Sequence, residues 1–210
     1  EADDPQAARV AVDRLRTELD GDAPRPLVRE TRRILAPVGL GPAHHLLDGV
    51  TSDLDFQIPE DDAALHLYCY QVAGTVGLMM CAVLGVHDES AWPHAIDLGL
   101  GMQLTNICRD VKEDAENGRV YLPRERLVAC GVQPEALLAG TAPAEPVSRV
   151  VRDLLDQADA FYTSARVGYP AISARSRIAI AMAARPHQSI GHKLRRNGSD
   201  PLVGRTVVGL

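Results

Sequence analysis

Aromatic residues are scarce: two Phe, one Trp and five Tyr make up 4% of 210 residues, while hydrophobic residues reach 46%. A core built from this chain must be mainly Ala, Val, Leu and Ile, and 22.6 kDa is enough to bury one. Basic residues are not in excess. Lys and Arg number 22 against 28 Asp and Glu, and the net charge of -6 argues against nucleic acid as the main partner. The four cysteines (Cys69, Cys81, Cys108, Cys130) form no CxxC pair. They read as reduced core thiols of a cytosolic protein rather than as zinc ligands. No GxGxxG, P-loop or GxSxG occurs, so none of the chemistries those turns support is indicated. No uninterrupted apolar run reaches the roughly 18 residues that suggest a spanning helix, and no signal peptide opens the chain. Strand-like alternation is missing throughout, as are internal repeats. The class is all-α.

Helical periodicity is present instead. Asp3-Asp4-Pro5 reads as a helix start, with Asp4 as cap and Pro5 at the first helical position. The periodicity predicts further helices over 26–35, 42–50, 63–84, 92–116, 147–167 and 172–196, with short helical turns after Pro123 and over 133–138. Residues 56–62 and 85–90 are connectors, and 140–146 (GTAPAEP) is the one clear linker, too short to divide domains. The adjacent His44 and His45 point to different faces, so they cannot make an i, i+4 metal pair. Lys193, Arg195 and Arg196 read as a solvated helix end that complements the dipole, with a membrane or phosphate contact as the other reading.

The stretch 98–123, LGLGMQLTNICRDVKEDAENGRVYLP, carries the chemistry. Gln103, Asn106, Asp110 and Asp114 share an arc of roughly 80° at about 100° per residue. Leu100, Leu104, Ile107 and Val111 form an adjoining apolar stripe. Two carboxylates with two amides above them offer hard oxygen ligands of the kind Mg²⁺ takes beside a substrate phosphate. Arg109 and Arg119 flank them and can grip phosphate oxygens. The plainer reading is the solvated face of an amphipathic helix, but such faces favour Lys, Glu and Arg over Asn and Asp. In the helix over 63–84, Tyr68, Val72 and Val76 stand four apart, with Ala73, Gly74 and Gly77 beside them. Small residues there admit either a neighbouring helix or an elongated apolar ligand.

RDVKEDAENGRVYLP resembles the second aspartate-rich motif of the squalene and phytoene synthase family, the head-to-head prenyl synthases. YCYQVAGTVGLMM (68–80) looks like that family's other signature, and GHKLRRNGSDPLVGRTVV (191–208) is similar to its last segment. The GLMM run leans towards bacterial phytoene synthases. The resemblance implies one isoprenoid-synthase-type helical bundle over 1–210, with a central pocket. It implies condensation of two geranylgeranyl diphosphates through a cyclopropyl intermediate to phytoene, with release of diphosphate. A squalene, dehydrosqualene or presqualene diphosphate synthase using farnesyl diphosphate is the alternative, and a non-catalytic scaffold or assembly factor is the alternative of another class.

Carried over residue by residue, Asn106, Asp110 and Asp114 would hold Mg²⁺ (or Mn²⁺), and Gln103, Arg109 and Arg119 the diphosphate, with Tyr121 nearby. Tyr68, Val72, Ala73, Val76 and Gly77 would face the substrate. NADPH is not expected for a phytoene-type reaction. The expected setting is the cytoplasm with at most peripheral membrane contact, as a monomer or homodimer.

Two departures stand out. The family's first DxxxD motif lies upstream of the region matching residues 3–20, so the chain reads as N-terminally incomplete and is expected to be inactive by itself. Where the family has a helix interior with a tyrosine, this chain has Pro186-His187. Pro186 is expected to kink or break the helix at a cost of about 3 kcal/mol. His187 either offers a polar group at the pocket mouth or lies on the surface of a disrupted helix.

Overall fold

A computed structural model describes residues 4–204 and 206. Asp4 caps α1 (Pro5–Asp20), its carboxylate accepting from the Gln6 N–H at 2.9 Å. Asp3 lies outside the described residues. α2 spans Pro26–Leu35, again with proline in its first turn, and α3 spans Gly41–Leu54. α3 runs four residues past its expected end. Thr51 and Ser52 return their hydroxyls to the carbonyls of Leu47 (2.8 Å) and Gly49 (2.7 Å), so these turn-prone residues are absorbed into the helix. His44 bonds Asp20 and His45 bonds Tyr70, on different faces as expected.

The helix expected over 63–84 is interrupted rather than uniform. α4 (Asp62–Cys69) is capped by Asp61 and passes through one π-helical turn (Tyr70–Gly74) into α5 (Thr75–Val83). By length and composition this 22-residue run does satisfy the measure of a membrane span. Here it packs on the centre of the bundle. α6 (Trp92–Glu116) is that centre, ending where Gly118 takes φ 78°. Short α7 (Arg124–Ala129) and α8 (Pro134–Leu138) lead to α9 (Ala144–Gly168), which starts inside the expected linker, and α10 (Ala174–Arg196) closes the chain. No strand forms among the described residues.

The apolar stripe of α6 is buried as its spacing predicts, Leu104 completely, against Val147, Val151, Leu154 and Ala158 of α9. The glycines fix how close α5 comes. A Cβ on Gly77 would sit 2.1 Å from the Ala95 carbonyl oxygen, and one on Gly99 2.4 Å from that of Ala73. Both contacts are with backbone, so the two helices cross at a separation that only glycine permits. Cys69, Cys81 and Cys108 are buried free thiols, and burial pushes Cys69 up to about 12. Arg195 is not a free helix end: it bonds Asp156 (2.6 Å) and Asp159 (2.7 Å), tying α10 to α9.

α10 continues through Pro186 without breaking. The carbonyl that loses its donor belongs to Met182, whose side chain is 68% exposed, so water can reach that face. The ring of His187 adds a bond to the Ala183 carbonyl at 3.2 Å.

Candidate active site

Between α5, α6, α9 and α10 lies a cavity of about 430 Å³. Val72, Ala73, Val76 and Gly77 line one wall, and Leu98, Gly99 and Met102 of α6 line another. The small residues of the 68–80 signature therefore serve both readings. Gly74 and Gly77 press on α6 while Ala73 and Gly77 also border the cavity. Gln103 and Asn106 bring polarity to one end. Asn106 Oδ1 is buried and has no hydrogen-bond partner, which is costly unless something else binds it.

Asp110 and Asp114 follow Asn106 at successive turns of α6. Both are half-buried, and neither belongs to a solvated stripe. Burial, then the charges of Asp110 and Glu113, push the Asp114 carboxyl up to about 6, while Arg119 and Arg109 oppose the shift. The donor set is thus two mutually repelling carboxylates and an orphaned amide oxygen, all hard, on one helix face. This suits a hard divalent cation that completes its shell with water and diphosphate oxygens. Among the described residues no three of His, Cys, Asp and Glu cluster as an all-protein metal cage.

Arg109 is already engaged by a neighbour. Its Nε bonds Asp110 Oδ1 at 2.7 Å and its Nη2 takes the other oxygen, so the guanidinium clamps its neighbour. Arg119 donates from Nη2 to the Asp53 carbonyl (3.2 Å) and from Nη1 to the Tyr121 hydroxyl (3.3 Å). Tyr68 and Tyr121 do not line the cavity. Their hydroxyls donate to Asp53 Oδ1 at 3.1 and 2.9 Å. Burial first, then its surroundings of Tyr121 and Asp53, hold the Tyr68 phenol far above its usual range, so it is a neutral donor. His187 is not among the residues lining the cavity.

Matching to family models aligns all of residues 1–210 with squalene/phytoene synthase. This chain belongs to the squalene/phytoene synthase family. Among the relatives of this family member is the phytoene synthase of Cereibacter sphaeroides, 34% identical over 210 residues, 97% of this chain and 59% of the relative. The 15-cis-phytoene synthase of Enterobacter agglomerans is 47% identical over 132 residues, covering 63% and 44%. The chain spans about half the length of the curated relatives it matches. Of solved structures, a dehydrosqualene synthase in complex with ligand gives a TM-score of 0.80 at 30% identity over 93% of this chain and 70% of that one. The squalene synthase HpnC from Alicyclobacillus acidocaldarius gives 0.81 at 22% identity over 93% and 75%, a likeness of fold. The squalene/phytoene synthase fold is therefore all-helical here, as expected.

The sequence reading missed Asp53 and the rest of the cavity wall. For the wall a signal existed: His94, Leu98, Met102 and Asn106 are spaced by four, so they share a side of α6. Asp53 had none, because its partners lie 15 and 68 residues away.

Proposed function

We propose that the native protein carrying this chain condenses two geranylgeranyl diphosphates head to head into phytoene. The observation that carries the reading is Asn106 Oδ1, a buried oxygen without a partner. It stands where an apolar cavity meets two carboxylates that repel each other. Relatives named phytoene synthases, at 34–47% identity, support the C20 substrate over the C15 one.

Asn106, Asp110 and Asp114 would hold Mg²⁺, for which Mn²⁺ is the alternative. When bound, the ion supplies charge neutralisation to the diphosphate as it leaves. Arg109 would release Asp110 and turn its guanidinium to the diphosphate, with Gln103 and Arg119 beside it. Departure of diphosphate takes the C–O electron pair and leaves an allylic cation. The walls of Val72, Ala73, Val76 and Leu98 keep water from that cation. The double bond of the second substrate attacks it and, after proton loss, closes the cyclopropane. A second ionisation, rearrangement and proton loss then give the hydrocarbon. Tyr68, outside the cavity wall, helps to fix Asp53 and Tyr121, which in turn hold Arg119.

The test is product identification. The native protein, with whatever residues precede Glu1, is incubated with Mg²⁺ and geranylgeranyl or farnesyl diphosphate without NADPH, and products are weighed by mass spectrometry. A C40 hydrocarbon absent from an Asp110→Ala variant is the expected result. A C30 product moves the assignment to the dehydrosqualene branch. No turnover of either substrate by folded protein overturns the enzyme reading in favour of a scaffold.

A further inference from the structure

At the start of α6, away from Asn106, the cavity is bordered by the buried Cys81, Val86 and Ala91, with exposures of 5%, 3% and 7%, and by Ile172. The one charged-type side chain at that end is His94, on the first turn of α6. Its Nδ1 lies 2.9 Å from Ser164 Oγ, and Ser164 donates its only hydroxyl proton to Asp97. The Nδ1 therefore carries the hydrogen and donates to Ser164, which fixes both ring orientation and tautomer.

Gly168 holds the imidazole from behind. Its φ of -75° would admit any residue, yet a Cβ there would sit 2.7 Å from His94 Cβ. The glycine is there for space, not for backbone freedom. Pinned by Ser164 and Asp97 and backed by α9, the ring cannot retreat to lengthen the cavity.

We infer that His94, lining the cavity at the start of α6, sets the longest prenyl chain the site admits. Twelve residues of helix separate it from Asn106, about 18 Å at 1.5 Å per residue. An extended C20 chain has fifteen main-chain bonds and spans about 18 Å, taking the projection of about 1.2 Å per bond found in an extended backbone. A C15 chain spans about 13 Å on the same basis and leaves the floor empty. The match rests on the reading of the site as a prenyl diphosphate site. It makes Ser164 and Asp97 positioning residues that act through the imidazole.

The experiment compares C15, C20 and C25 prenyl diphosphates in competition on the native protein and on His94→Ala, Ser164→Ala and Ala91→Leu variants. Selectivity is read as the ratio of kcat/KM and, for slow variants, as the ratio of dissociation constants of the unreactive thio-diphosphates. His94→Ala should raise C25 use relative to C20 by about tenfold, and Ala91→Leu should shift preference from C20 towards C15 by a similar factor. Ser164→Ala should broaden selectivity in the direction of His94→Ala. Selectivity ratios unchanged from the native protein in both His94→Ala and Ala91→Leu would overturn the inference. That result is distinct from a native protein that turns over no prenyl diphosphate, which would overturn the underlying reading.

Discussion

Tyr68 lies stacked on Tyr121, ring centroids 5.0 Å apart and planes 26° from parallel. Tyr68 belongs to the first signature and Tyr121 to the end of the second. Asp53 joins them by accepting both hydroxyls on one carboxylate oxygen, while its backbone carbonyl accepts from Arg119. Three helices or their ends, α3, α4 and the segment after α6, thus meet in one polar knot beside Asp114.

Removing the acceptor should loosen that knot. Asp53→Ala leaves the buried Tyr121 and the half-buried Tyr68 without their common partner and is expected to cost about 1–3 kcal/mol of stability, measured by urea unfolding. Asp53→Asn keeps an acceptor oxygen and should lose less. If both variants match the native midpoint, the knot contributes nothing to the fold.

Pro186 makes a prediction in the opposite direction. α10 is continuous through it, so the helix carries a missing N–H that an alanine would restore. Pro186→Ala should raise stability by about 1–3 kcal/mol, the interior-proline penalty less what proline gains by restricting the unfolded chain. A lower melting temperature for the variant would mean that the proline shapes a contact the helix needs.

Acid sensitivity should arise partly at the start of α4. Asp62 accepts from Arg126 Nη2 at 2.6 Å and from Gln157 Nε2 at 2.9 Å, and the Arg126 bond holds its carboxyl below the usual aspartate range. A carboxyl with a depressed folded pKa contributes stability that is present above its unfolded value, about 3.9, and lost as pH falls through the folded one. Asp62→Asn should therefore lower stability at pH 7 and flatten the fall below about pH 4. Equal slopes for native and variant protein in that window would remove Asp62 from the account.

Much of the fold was legible because it is local. Asp4 and Pro5 mark a helix start by their own backbone chemistry, and the stripe from Leu100 to Val111 faces the core as its spacing predicts. What was hidden depends on distance in the chain. The extension of α3 to Leu54 is made by hydroxyl bonds that a turn-like Thr-Ser-Asp sequence disguises, and it is this extension that delivers Asp53 to Tyr68. The links from Arg126 to Asp62 and from His94 to Ser164 span 64 and 70 residues, beyond any local pattern. The clamp of Arg109 on Asp110 joins adjacent residues, yet periodicity does not foretell it, because sequence neighbours on a helix point about 100° apart.

The central claim is that Asn106, Asp110 and Asp114 form a cation-dependent diphosphate site at the polar end of the cavity. It is tested most directly by titrating inorganic diphosphate into the native protein in a calorimeter, with Mg²⁺ and with chelator. The account predicts binding with Mg²⁺ that weakens at least about tenfold, or some 1.4 kcal/mol, in chelator and in Asp110→Ala or Asp114→Ala protein. Diphosphate binding of equal strength in all of these conditions would contradict it.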